Sequence, residues 1–396
     1  MAPALWRHAL TSRLTADLSE HPLLVTEPVW NPPRNREKTI EVAFEDLDVP
    51  AFYLAKAAVC AGFAVGKSSA LVIDAGAANI SVTPIHDGFV LRKGAMRSPL
   101  GGDFLSAQIR AHLASLGVPL TAHYQVVSKM PVEVGKPAEA TLHAFPPDRE
   151  PTASFRAFQE ERVLTEFKEC VAQVWAGPRP LPPPSAIAPA PDGVGSRTFE
   201  FPDGYNLVFG SDRFRIAEAM FVPRAMLPLP PVATPPAAAA AATTPAAQAA
   251  ASGSTASSAG GGGGGAATPA SSSGVVAPAV PDPETTMGIP QLIAWAMRDI
   301  DVEIKQHMLN NVIVTGSTSL LYGFCERLNS ELTTQFPGPR VRVHAAGTSS
   351  VERRYASWLG GSILASLGSF HQLWVSKREY EEHGLSSLSA SVSCSG

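Results

Sequence analysis

An α/β fold is predicted from three observations. Two short apolar runs, Leu71-Val72-Ile73 and Val312-Ile313-Val314, end abruptly in small or polar turns, Asp74-Ala75-Gly76 and Thr315-Gly316-Ser317. Aliphatic and β-branched residues in such runs suit strands covered on both faces, while glycine lets the backbone turn sharply and approach a ligand. Segments with helical apolar spacing alternate with these runs, which is the pattern of α/β units. The chain has 396 residues, 45% of them hydrophobic, enough for two or three domains around a substantial core.

Charge and cysteine content exclude several classes. Lys+Arg total 31 against 35 Asp+Glu, a formal net charge of -4, so no global positive field points to nucleic acid or a membrane surface. The four cysteines, Cys60, Cys170, Cys325 and Cys394, show no CxxC spacing, which disfavours a zinc site or a disulfide framework and fits a reducing compartment. No apolar run is long enough to cross a bilayer.

Taken in order, Met1 to Ala16 holds Arg7, His8 and Arg13 and no acid, a presequence-like composition. Leu5, Trp6, Ala9, Leu10 and Leu14 also recur near the helical period, which predicts an ordinary helix with those residues inward. His21 to Glu27 is a short buried strand, Arg34 to Phe44 a helix, and alanine-rich Pro50 to Phe63 a second helix before the strand at Leu71. Asp74 at that strand's end either faces a ligand crevice or caps the next turn. Ser81 to Ile85 continues through Asp87-Gly88, a hairpin signal, into Phe89-Val90-Leu91, making one antiparallel meander.

Gly101-Gly102-Asp103 opens a helix with Leu105, Ile109, Leu113 and Leu116 on one face. A further helix spans Glu160 to Trp175, its stripe Val163, Phe167, Cys170, Val171 and Val174 leaving Lys168 and Glu169 outside. Pro178 to Pro191 is extended or irregular. From Pro228 to about Pro283, Ala, Ser, Thr and Pro surround Gly260 to Gly265, too little apolar bulk to offset ordering entropy. Pro290 suits the first turn of a helix carrying Leu292, Ile293, Trp295 and Ala296. The Gly316-Ser317-Thr318 turn precedes a helix from Phe324 to Leu332. Backbone N–H groups in such a turn can cradle phosphate, although an ordinary strand-to-helix connection shows the same residues. Small residues Gly360, Gly361, Ser362 and Ala365 let the last helical block press closely on a neighbour. Arg353 and Arg354 at its start are either solvated charges or ligand contacts.

Together these blocks resemble the actin family. The resemblance is carried by His21-Pro22-Leu23-Leu24-Val25-Thr26-Glu27, Asn35-Arg36-Glu37-Lys38, Val72-Ile73-Asp74-Ala75-Gly76, Phe201-Pro202-Asp203-Gly204, Arg213-Phe214-Arg215 and Trp358 through Leu367. It implies an actin-like, ribonuclease-H-like fold of two related α/β domains that grip a nucleotide in the cleft between them. The branch most resembled is the nuclear actin-related subunits of chromatin remodellers and histone acetyltransferase complexes. Pro50 to Lys56, His86-Asp87-Gly88, Ser98 to Phe104, Gly288 to Ile293 and Val351 to Arg354 carry that likeness.

On this resemblance residues 1–64 are a remnant of the first domain, lacking its N-terminal part, and Met1 to Leu14 is a helix of that domain, not a leader. Residues 65–100 and 288–355 form the second-domain core, 101–227 its outer subdomain, and 228–287 a disordered insertion. Residues 356–384 return to the first domain and 385–396 are a flexible tail.

The same comparison implies a nucleotide cleft lined by Asp74, Gly76, Lys168, Glu169, Gly316, Ser317, Thr318 and Arg354. Ala57, Ala77, Ala78 and Ser81 stand where the family has a glutamine, an acid and glycine, and a histidine. Methyl groups neither hold a hydrated metal nor orient a nucleophilic water, so the expectation is a pseudo-ATPase with no catalytic residue, no bound metal, and weak ATP binding at best. Phe63, Gly66, Leu364, Leu367 and Leu373 match an apolar groove that receives partner helices, or are core. The implied role is nuclear, beside actin on a helical scaffold segment of a remodeller ATPase or acetyltransferase subunit, touching chromatin indirectly and no membrane. The competing reading is an ATP-hydrolysing, filament-forming cytoskeletal protein.

Overall fold

In the computed structural model the strands are β1 (Leu23–Glu27), β2 (Ala51–Lys56), β3 (Ala70–Ala75), β4 (Ile80–His86), β5 (Phe89–Val90), β6 (Met96–Ser98), β7 (Val126–Met130), β8 (Glu139–Leu142), β9 (Arg197–Glu200), β10 (Asn206–Phe209), β11 (Val312–Thr315), β12 (Val343–Ala345) and β13 (Val375–Ser376). The helices are α1 (Ala2–Arg7), α2 (Pro33–Glu41), α3 (Ala57–Ala64), α4 (Gly102–Ser115), α5 (Ala153–Cys170), α6 (Asp212–Glu218), α7 (Ile289–Met297), α8 (Val302–Leu309), α9 (Phe324–Gln335), α10 (Ser350–Arg354) and α11 (Ala356–Ala365). The structure describes residues 2–177, 181, 195–227, 281–345 and 350–384. Residues 1–228 and 281–396 cluster as one unit, which is the one described below, and 229–280 as another.

Two sheets organise the unit. A six-stranded sheet runs β12-β11-β3-β4-β5 with β6 also on β4, and a three-stranded sheet runs β1-β2-β13. Alternation of side chains explains why β3 is apolar throughout: Leu71, Ile73 and Ala75 enter a large core with residues of α4, α5, α7 and α9, while Ala70 and Val72 face Ala61 of α3 and Ala356 of α11. Both faces are therefore covered. In the smaller sheet Phe52 and Leu54 pack on Ile40 and Phe44, and Tyr53 and Ala55 pack on Cys60, Leu364 and Phe370.

The helices α3 and α11 join these layers, and their closeness depends on Gly360. A Cβ there would sit 1.6 Å from the Cys60 carbonyl oxygen, so no other residue permits the contact.

Several expectations change. Pro50 to Phe63 is not one helix: β2 occupies 51–56 and α3 follows, because Phe52, Tyr53 and Leu54 are bulky side chains buried on alternate faces of a sheet. The first helix ends at Arg7 and continues as wider π turns to Arg13. Only Trp6 and Leu10 face the core, whereas Leu5 and Leu14 are exposed. Helix α5 starts at Ala153, where the Thr152 hydroxyl accepts from the Phe155 N–H, and ends at Cys170, leaving Val171 and Val174 buried beyond it. The last helical block is broken at Tyr355.

Residues 281–287 do not belong with a disordered insertion. The Asp282 carboxylate accepts from the Glu284 N–H, its carbonyl from the Thr286 N–H, and Glu284 pairs with Arg224 at 2.9 Å. Residues 178–191 apart from Leu181, 228–280 and 385–396 lie outside the described residues.

Candidate functional site

The parallel neighbours β3 and β11 place Asp74 beside Thr315 in register, so the two predicted turns leave the sheet side by side. Gly316 makes that possible. Its φ is +89°, and a Cβ would come within 2.3 Å of the Ala75 carbonyl oxygen and 2.6 Å of Asp74 Oδ1. The turns are then stitched together: the Thr318 hydroxyl donates to the Gly76 carbonyl at 2.9 Å, and the N–H groups of Gly102 and Asp103 donate to the carbonyls of Gly76 and Ala77 at 3.0 and 2.9 Å. The first amides of α4 are thus already occupied by protein.

Two cavities open on these turns. The larger, of 930 Å³, is lined by Lys168, Glu169, Ser317, Thr318 and Arg354 together with Arg197 and Tyr322. The smaller, of 320 Å³, is lined by Asp74 and Gly76 with Ala57, Ala77, Ala78 and Ser81. Ala77 borders both. The predicted cleft residues are therefore brought together as two groups, with Gly316 packed against Asp74 behind them.

Within the larger cavity Lys168, Glu169 and Arg354 are engaged. Lys168 Nζ donates to Ser106 Oγ at 2.6 Å, the Gly102 carbonyl at 3.1 Å and Glu161 at 3.3 Å. Arg354 pairs with Glu169 at 2.8 Å. Its neighbour Arg353 instead donates to the Ser319 carbonyl at 2.9 Å, a contact within the protein.

The smaller cavity differs in chemistry. The Asp74 carboxylate has no hydrogen-bond or ion-pair partner among the described residues, and burial pushes its pKa up. Its lining holds two acids, Asp74 and Glu27, among alanine methyls and hydroxyls, and the Glu27 carboxylate is already bound to Lys56 and Arg36; this is a poor divalent-metal site, which normally gathers several oxygen ligands. Among the described residues no group of three or more His, Cys, Asp and Glu is placed to hold a metal ion.

Sequence reasoning missed a buried charge cluster beside this cavity. Glu27 and Lys56 are the last residues of β1 and β2 and pair directly in register. The Glu27 carboxylate bonds Lys56 Nζ, Arg36 at 2.9 Å and Asn31 at 2.8 Å, with Glu27, Arg36 and Lys56 all buried. Burial lowers the Lys56 pKa against the pull of Glu27. The signal was one charged residue ending each strand, hidden when residues 50–63 are read as a helix.

The expected partner groove divides. Leu364 is buried against Tyr53, Cys60 and Phe370 with Phe63 partly buried beside it, whereas Leu367 and Leu373 are exposed and Gly66 is exposed two residues beyond α3 with φ +69°.

Paired strand ends that open on a cleft, within two α/β sheets joined by a glycine-tight helix pair, define an actin-type fold. The chain belongs to the actin family: the family model described as Actin matches residues 1–393. It is 44% identical to Actin-related protein 4 of Emericella nidulans, covering 97% of this chain and 79% of that protein. Against Actin-related protein 4 of Schizosaccharomyces pombe the identity is 40%, over 96% of this chain and 78% of the relative. A second protein of that yeast, named SWI/SNF and RSC complexes subunit arp42, is 36% identical with the same coverage of 96% and 78%.

Proposed function

We propose that this chain is a non-catalytic, actin-related subunit of nuclear chromatin-remodelling or histone acetyltransferase complexes, with roles in chromatin organisation, transcription and DNA repair. It assembles beside actin on a helical scaffold segment of a remodeller ATPase or acetyltransferase subunit. The likeness to relatives named Actin-related protein 4 and SWI/SNF and RSC complexes subunit supports the class of assembly. The exposed Leu367 and Leu373 support a surface for the scaffold helix.

The observation that carries the non-catalytic part is the ring of Ala57, Ala77 and Ala78 around Asp74. Hydrolysis needs an oriented water and a metal at that place, and methyl groups supply neither. ATP, where it enters, binds weakly, because Lys168, Glu169, Arg354 and the first amides of α4 already have protein partners. The test is purification of the tagged full chain from nuclear extract with identification of its companions, alongside phosphate release from ATP and magnesium. The expected result is co-purified actin and a remodeller or acetyltransferase scaffold, with release at the blank rate. Recovery in cytoplasmic filaments with sustained turnover overturns the proposal.

A further inference from the structure

The six-stranded sheet ends at β12, which pairs with β11 on one side only. The ladder extends back before the strand proper: the Val312 N–H donates to the Arg342 carbonyl at 3.0 Å, and the Arg342 N–H to the Leu309 carbonyl at 2.9 Å. Side chains alternate along this stretch. Val341, Val343 and Ala345 pack against the large core, so Arg340, Arg342 and His344 face the other way. Peptide groups alternate as well. With Val312 opposite Val343 in a parallel pair, Arg342 and His344 bond towards β11, and the N–H and C=O of Val343 point to the open edge. No loop among the described residues bonds to them.

A cluster of one charge sign accompanies this edge. Burial lowers the His344 pKa first, a hydrogen bond to the Asn310 backbone opposes that, and the charges of Arg342 and Lys67 lower it further. Lys67, between α3 and β3, therefore stands within electrostatic reach of the same place, and no carboxylate is among the charges acting on His344. The side chains of Lys67, Arg340 and Arg342 have no hydrogen-bond or ion-pair partner among the described residues. Arg340 and Arg342 are exposed. Asp87, in the hairpin whose Gly88 N–H bonds the Ser68 carbonyl, contacts Ser69 and His86 instead.

Unpaired peptide groups on an edge strand are a template for another chain, and charges beside them turn away like-charged chains. We propose that the β12 edge takes up an extended acidic segment of a partner protein as an added strand, with carboxylates at alternate positions meeting Arg340 and Arg342. Lys67 deepens the positive field that draws the segment in. The edge itself selects the form of the occupant. A helix has its backbone groups bonded within itself, and a nucleic-acid backbone brings phosphate acceptors but no donor for the Val343 carbonyl. The inference does not rest on the function proposed above.

The test uses the full chain and fluorescein-labelled probes: an eight-residue peptide alternating glutamate and threonine, its counterpart alternating lysine and threonine, the acidic peptide with N-methylated amides, and a single-stranded oligonucleotide. Anisotropy at low salt should show saturable binding of the acidic peptide, roughly tenfold tighter than any other probe. Hydrogen exchange in residues 341–345 should slow when that peptide is added. R340E/R342E changes two exposed positions; it should keep the parent Tm and bind the acidic peptide at least tenfold more weakly. No saturable binding, equal binding of the N-methylated peptide, tighter binding of the oligonucleotide, unchanged exchange at 341–345, or an unaffected charge-reversed variant would each overturn the proposal.

Discussion

Arg354 extends a guanidinium nitrogen to 2.8 Å from the Glu169 carboxylate, linking α10 to the end of α5 at the larger cavity. Both side chains are substantially exposed, so screening by water and salt limits the pair to at most about 1 kcal/mol. Glu169→Gln should therefore lower Tm by no more than about 4 °C, and 0.5 M salt, roughly a 4 Å Debye length, should erase even that difference. A thermal melt at two salt concentrations decides it.

Buried Arg327 is a different case. Only 1% exposed, it bonds Glu218 at 2.8 and 3.0 Å, Glu331 at 2.7 Å and the Trp175 carbonyl at 2.8 Å. Removing it leaves two carboxylates without their cation inside the protein. Arg327→Ala should cost about 3–5 kcal/mol in denaturant unfolding, and Arg327→Lys should recover little of it, since an ammonium cannot reproduce the forked geometry. A loss below about 1 kcal/mol would show that the cluster is not what holds α9 to α6.

At the paired turns, two substitutions should separate backbone from side-chain effects. Gly316→Ala places a methyl on the Ala75 carbonyl and the Asp74 carboxylate, and should destabilise by more than about 2 kcal/mol. Thr318→Val removes only the hydroxyl that reaches Gly76 and should cost about 1 kcal/mol, with Thr318→Ser close to the parent. Equal losses from Gly316→Ala and Thr318→Val would contradict the close approach described for Gly316.

Asp74 gives a prediction in pH. Its folded pKa is raised above 3.8 by burial, so the folded chain retains a proton that the unfolded chain has released. Stability falls as pH rises from about 3.8 through the raised value, and stays lower above it. Asp74→Asn should melt higher than the parent at pH 7, with the advantage shrinking towards pH 4. A parent that melts higher at neutral pH would mean that the carboxylate has a stabilising partner.

How far the sequence revealed this arrangement depended on whether local pattern and burial agreed. At β3 and β11 they did: continuous aliphatic runs correspond to strands with both faces covered, and both terminal turns lie where expected. At β2 they did not. Alanines flanking Phe52-Tyr53-Leu54 favour a helix locally, and only sheet partners on either side, β1 and β13, make those residues a strand. The β7–β8 hairpin escaped notice because its side chains are mostly exposed, giving no apolar alternation to detect. The candidate site was legible as residue types near turns. Its separation into two cavities was not, since that follows from Thr318, Gly102 and Asp103 closing on the loop after β3. The Glu27–Lys56 pair required a strand register that no local pattern announces.

The glycine-tight crossing of α3 and α11 also furnishes a built-in gauge of motion. Cys60 lies fully buried beneath Gly360, and burial pushes its thiol to about 12, so it is both sealed from solvent and chemically quiet at neutral pH. Each molecule that captures a maleimide at this position has recorded one excursion in which the last long helix lifted away. Counting such captures over time measures how often the joint between the two sheets breathes.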